Sequence, residues 1–236
     1  MISNMPQGGL IMAVDGPSGA GKSTACRAVA TQLDAKYLDT GAMYRVATLH
    51  VLRQGIDPAD EAAVVAATAS LPLMVNDDPQ SSEVLLAGED VSAEIRGPEV
   101  TQQVSQVSAY PLVRENLVAL QRALSAEAHR CIVDGRDIGT EVLVNAPVKI
   151  FLTASAEVRA RRRFEQDTAA GRTADYETVL ADVQRRDELD SQRAVSPLRP
   201  AEDATIVDTS EMTFEQVVDS LIELARVSAS NTQEGA

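Results

Sequence analysis

The sequence predicts an α/β protein whose core is a mostly parallel β-sheet flanked by helices, and three observations carry that expectation. Short apolar runs recur at LIMAVDG (10–16), RCIVDG (130–135), VKIFLTA (148–154) and ATIVDTS (204–210). Runs this short and this apolar suit strands buried on both faces. Stretches of helical apolar spacing lie between or after them, and strands separated by helices pack as a parallel sheet with both faces covered. The composition agrees: 236 residues, 44% hydrophobic and 24% charged, describe an ordinary globular chain long enough to bury its own core.

Each element has a local reason. Residues 1–9, MISNMPQGG, are small and polar and read as a loose end, as does SASNTQEGA at 228–236. After the first strand and a Gly-rich turn, Lys22 to Leu33 reads as a helix. A second runs from Ala42 to about Arg53, closed by Gly55 and Pro58. The segment 71–96 breaks the rhythm: two apolar runs with turns at Asp78-Pro79 and Gly88-Glu89 predict an antiparallel β insert. Pro111 suits the first turn of a helix whose Val113, Leu117, Leu120 and Leu124 form one apolar stripe. Thr213 with Gln216 makes a capping box for the last helix, which turns Val217, Leu221, Leu224 and Ala225 inward.

Charge narrows the function. The chain carries 21 Lys+Arg against 35 Asp+Glu, a net of −14, so its long-range field repels nucleic acid and anionic membrane. A small anion is still admissible, provided that the positive charge is gathered into a site. Cys26 and Cys131 sit in apolar settings and read as core residues, too few for a disulfide framework or a zinc site. No apolar run approaches the ~20 residues of a membrane span, and no basic-then-apolar leader opens the chain; a cytoplasmic protein is expected.

The strongest local signal is Gly16-Pro17-Ser18-Gly19-Ala20-Gly21-Lys22-Ser23, a complete G-x-x-x-x-G-K-[ST] after a strand and before a helix, continued by Thr24. The glycines let backbone N–H groups converge on phosphate oxygens, and the helix N-terminus adds positive potential there. Lys22 is placed to reach the β/γ-phosphates, and the Ser23 hydroxyl to bind Mg²⁺ or orient its waters. Asp15 and Asp134 are further candidates for those waters. An N-K-x-D element and an L-S-G-G-Q stretch are both missing, which disfavours a GTPase and a transporter ATPase. Three other clusters supply what a kinase needs for a second anionic substrate: Asp39 to Arg45, Asp134-Gly135-Arg136-Asp137, and the arginines at 159, 161, 162 and 163. Neither His50 nor His129 falls in a motif, so histidine acid–base chemistry is not expected.

Together these residues resemble the bacterial cytidylate kinases, the long form of the nucleoside monophosphate kinases. The resemblance runs from about Ile11 to Ala225 through VDGPSGAGKST (14–24), YLDTGAMYR (37–45), GEDVSAEIRGPEV (88–100), SQVSAYPLVRENLVALQR (105–122), VDGRDIGTEV (133–142), APVKIFLTAS (146–155) and RDELDSQRAVSPL (186–198). It implies a P-loop kinase core at 10–62 and 104–227, a nucleotide-binding β insert at 63–103 and a short lid near 156–190. It implies transfer of the γ-phosphoryl of ATP to CMP or dCMP with Mg²⁺, by a monomer. Under it Arg45 and Arg136 hold the acceptor phosphate, Thr40 keeps a substrate-side hydroxyl where the family also uses Ser, and Ser105, Arg114 and Asp137 read cytosine. Arg186, Asp190 and Arg193 hold the sugar, and Arg159, Arg162 and Arg163 close over the ATP phosphates. A kinase for UMP, AMP or a sugar acid is the alternative.

Overall fold

The computed structural model describes residues 9–234. Its main sheet is five-stranded and parallel: β1 (Leu10–Asp15), β2 (Lys36–Asp39), β6 (Arg130–Asp134), β7 (Val148–Thr153) and β8 (Thr205–Asp208) stand in the order β2-β6-β1-β7-β8. Strand β1 is central, and its alternate side chains enter opposite layers. Met12 and Val14 pack with α1 (Lys22–Gln32) and α8 (Phe214–Glu234) through Val29, Leu221 and Ile222, while Ala13 joins Met43, Val113 and Val133. That second layer is covered by α2 (Thr40–Arg53) and α5 (Pro111–Glu127). Burial on both faces is why this strand reads as an unbroken apolar run.

Between α2 and α5 the chain forms α3 (Glu61–Thr68), a three-stranded antiparallel sheet of β3 (Leu73–Val75), β4 (Val84–Leu86) and β5 (Glu89–Asp90), and α4 (Pro98–Val107). Gly88, at φ 83°, makes the β4–β5 turn. The insert has its own core, with Val84, Leu86, Ile95 and Val100 packed on Val46 and Leu49 of α2. After β7 comes a helical hairpin, α6 (Ala156–Ala169) and α7 (Tyr176–Ser191), in which only Arg159, Ala160 and Asp190 are fully buried. Polar contacts, rather than an apolar core, hold it to the rest.

Five expectations need correction. Strand β2 was not anticipated, because Tyr37 and Leu38 are its only apolar residues and it is four residues long. Helix α2 starts at Thr40 rather than Ala42, because the Asp39 carboxylate accepts from Ala42 N at 2.9 Å and caps the helix. On α5 the polar Gln121 and Ser125 occupy the buried positions, leaving Leu120 and Leu124 half-buried. Strand β8 is an exposed edge, with Ile206 60% accessible, and α8 runs to Glu234 through residues expected to be loose. The expectation for residues 1–8 lies outside the described residues.

Candidate active site

At the carboxyl end of β1 the backbone must turn under β7. Gly16 makes this possible: it sits at φ 147°, and a Cβ there would lie 1.9 Å from the Leu152 carbonyl oxygen. The loop then runs to Gly21, which enters α1 in the left-handed region at φ 88°. Lys22 is buried, and its ammonium donates to the carbonyls of Gly16 at 2.8 Å and Pro17 at 2.9 Å. Burial, and then the Arg136 cation, lower its pKa from 10.5 to about 7. A phosphate oxygen beside this nitrogen would favour its charged form.

The loop opens on a cavity of about 640 Å³. Ser18 through Thr24 line one part of it, while Gly16 and Pro17 lie beneath and hold Lys22. Thr40, Arg45, Ser105, Arg114, Arg136 and Asp137 line it too, as do Arg159, Arg162, Arg163, Arg186, Asp190 and Arg193. Apart from Asp15 and Arg161, which do not line it, every other residue expected in the site is therefore brought to one space. Ten basic side chains line the cavity against four acidic ones, nearly half of the chain's 21 Lys+Arg in a molecule of net charge −14. The positive charge is gathered as an anion site requires.

The acceptor half is a crowd of cations. Arg45 donates to the Ile95 carbonyl at 2.8 Å and to Thr101 Oγ1 at 3.0 Å. Burial, and next Arg186, lower its pKa; burial and Arg136 do the same to Arg186, whose buried Nε has no hydrogen-bond partner among the described residues. Arg136 donates through Nε to Asp190 at 3.2 Å. Burial raises the Asp190 carboxyl, but Arg136, Arg193 and Arg186 outweigh it and hold the pKa below 3.8. The Thr40 hydroxyl donates to the Asp134 carbonyl at 2.8 Å, tying the start of α2 to the end of β6.

Beside this crowd lies a buried pair, Arg114 with Asp137 Oδ2. Arg114 also donates to Ser196 Oγ and to the Ser108 carbonyl, each at 3.2 Å, and lies over the Tyr44 ring at 5.3 Å. Burial raises the Asp137 carboxyl, against the pull of Arg114 and Arg193. A carboxylate so held is a fixed acceptor on the cavity wall.

The hairpin arginines are engaged with protein atoms. Arg159 donates to the Ser18 carbonyl at 3.1 Å and forks onto Asp187; Arg162 donates to the Thr209 carbonyl at 2.8 Å; Arg163 pairs with Asp167. Asp15 does not fit the role of holding the waters of Mg²⁺. Its two oxygens accept from Ile138 N at 2.7 Å and Gly139 N at 2.8 Å, pinning the turn after Asp137, and burial raises its pKa to about 6. Asp134 does line the cavity and accepts from the Tyr37 hydroxyl at 2.8 Å.

Sequence reasoning missed several lining residues. Asp39 and Tyr44 lie inside the motif YLDTGAMYR but bear no separate signal. Met212, Phe214 and Val217 form an apolar wall beside the phosphate loop; helical spacing marks Val217 only as core. Thr209 lines the cavity and holds Arg162, and Asp187 reaches the site through Arg159, relations that one-dimensional spacing does not reveal.

Comparison with known proteins now adds identity to this geometry. The family model described as cytidylate kinase matches residues 12–227. The chain is 74% identical over 230 residues to the cytidylate kinase of Corynebacterium glutamicum, covering 98% of this chain and 100% of that one. It is 73% identical over 228 residues to that of Corynebacterium diphtheriae, covering 97% and 99%. Among solved structures, a gluconokinase from Sinorhizobium meliloti covers 97% of each chain with a TM-score of 0.52 at 16% identity, a likeness of fold alone. With a match through every stretch that lines the cavity, the chain belongs to the cytidylate kinase family.

Proposed function

We propose that the chain transfers the γ-phosphoryl of ATP to CMP or dCMP, giving ADP and CDP or dCDP, as a monomer in the cytoplasm. One observation carries the reading beyond family membership: a single cavity joins a phosphate loop, an excess of cations and a buried carboxylate fixed by an arginine.

The roles follow from charge and shape. Ser18 to Thr24 and Lys22 take the donor phosphates, with Met212 and Phe214 beside them for its base. Arg45 and Arg136 take the acceptor phosphate, with Thr40 tying the start of α2 beside them to Asp134, and Arg186, Asp190 and Arg193 take its sugar. Asp137 accepts from the exocyclic amine of cytosine, with Arg114 and Ser105 on neighbouring edge atoms. Uracil presents a carbonyl at that place, setting two acceptors against each other. The acceptor oxygen is already anionic, so no base is needed; the barrier is repulsion between two polyanions. Lys22 and the arginines lower it by standing where charge accumulates, and closure of the α6–α7 hairpin excludes water as a competing acceptor.

The oxygen donors of the site fit Mg²⁺. The Ser23 hydroxyl and the carboxylates of Asp39 and Asp134 line the cavity, and burial, then Asp134, raise the Asp39 carboxyl, so a nearby cation would relieve both. No group of three or more His, Cys, Asp or Glu among the described residues forms a cage, in keeping with an ion that retains most of its waters. Ser23 would hold it directly and the carboxylates through water; when bound it supplies charge neutralisation between the phosphates.

The test is ADP release with Mg-ATP and each of CMP, dCMP, UMP, AMP and gluconate. Stimulation by CMP and dCMP well above the others is expected. Equal or greater stimulation by another acceptor would overturn the acceptor assignment.

A further inference from the structure

Arg159 is a residue that a sequence would send to the donor phosphates, yet four of its five N–H donors are taken by protein. It is 4% exposed. Nε donates to the Ala154 carbonyl at 2.9 Å, Nη1 to the Ser18 carbonyl at 3.1 Å, and Nη1 and Nη2 to Asp187 Oδ1 and Oδ2 at 3.0 and 2.5 Å. The bidentate carboxylate fixes the plane of the fork. The loop is packed against it as well: a Cβ on Gly19 would lie 3.3 Å from Arg159 Cβ.

The consequence follows from peptide planarity. In a trans peptide the C=O of one residue and the N–H of the next point in opposite directions. Holding the Ser18 oxygen on Arg159 therefore directs the Gly19 N–H away from the guanidinium. Gly19 lines the cavity, and within the described residues its N–H donates to no backbone acceptor. A cradle needs its amides held in this way before phosphate arrives, since a loop free to flip its peptides would lose that order on binding.

We propose that Asp187 is a positioning residue for the donor site: by clamping the Arg159 fork it holds the Ser18–Gly19 peptide with its N–H turned toward the donor phosphates. Asp187 itself does not line the cavity. It acts from α7, so the hairpin organises the phosphate loop from outside it. The inference rests on the reading of Ser18 to Thr24 as the donor cradle.

The experiment compares wild type, Asp187→Asn and Asp187→Glu. Mg-ATP binding is measured by calorimetry without acceptor, KM for ATP and for CMP in turnover, and thermal unfolding on each variant. The expected result is ATP affinity weaker by 5-fold or more in Asp187→Asn, KM for CMP changed by less than 2-fold, and partial recovery in Asp187→Glu. A fall in thermal stability with ATP affinity unchanged would make Asp187 a brace for the hairpin only and overturn the proposal. Tighter ATP binding in Asp187→Asn would overturn it too, since Asp187 would then be competing with phosphate for Arg159. Equal losses for ATP and CMP would also overturn it. Failure of wild type itself to bind Mg-ATP would instead strike the donor-cradle reading, which keeps the two failures apart.

Discussion

At the scale of the residue, Lys22 shows how the site is poised. Its ammonium is buried among its own loop's carbonyls with a pKa near 7 instead of 10.5. The nucleotide-free protein thus binds fewer protons than the unfolded chain between pH 7 and 10.5, so its stability rises with pH across that window. Lys22→Met should flatten that slope in urea titrations at pH 7, 8 and 9, and abolish transfer to any acceptor. Mg-ATP should restore the charge, so calorimetry at pH 8 in buffers of different ionisation enthalpy should reveal proton uptake on binding by wild type and none by the variant. Asp137 tests the other half of the cavity. Asp137→Asn should lower kcat/KM for CMP by about 100-fold and that for UMP far less; equal losses in a steady-state comparison would remove it from base reading.

At the scale of the element, the parts whose cause is local were legible and those whose cause is tertiary were not. The loop from Gly16 to Thr24 declares itself because it needs glycines at fixed places, and β1 because both its faces are buried. Gly16→Ala would drive a methyl against the Leu152 carbonyl, and should cost about 2–4 kcal/mol in chemical denaturation. The capping box of α8 is reciprocal as expected, Thr213 N donating to Gln216 Oε1 at 2.8 Å and Gln216 N to Thr213 Oγ1 at 3.3 Å. Thr213→Ala should lower stability by about 1 kcal/mol and leave both KM values alone. By contrast β2 is too short and too weakly apolar to stand out, and exists because Tyr37 and Leu38 find β6. The stripe on α5 was misjudged because Gln121 is buried beside the Tyr44 hydroxyl, a polar burial that periodicity cannot foresee. In the site, residue types and motifs led to the cavity; which arginines grip protein and which stand ready for an anion depends on distances between elements.

At the scale of the whole molecule, an acidic body encloses a basic cavity. Raising KCl from 0.05 to 0.5 M should weaken binding of both nucleotides, because the ions that screen the cavity compete for its cations. The α6–α7 hairpin places Arg159, held by Asp187, on the phosphate loop, and Arg186 and Asp190 around the opposite half of the same cavity. Two ligands whose sites share one hairpin are not independent, since a shift that either causes in it is felt by the other. Reciprocity then fixes the outcome: CMP should tighten a non-transferable ATP analogue by some factor, and the analogue should tighten CMP by that same factor. On the proposed function, the hairpin is the part through which one nucleotide is felt at the site of the other.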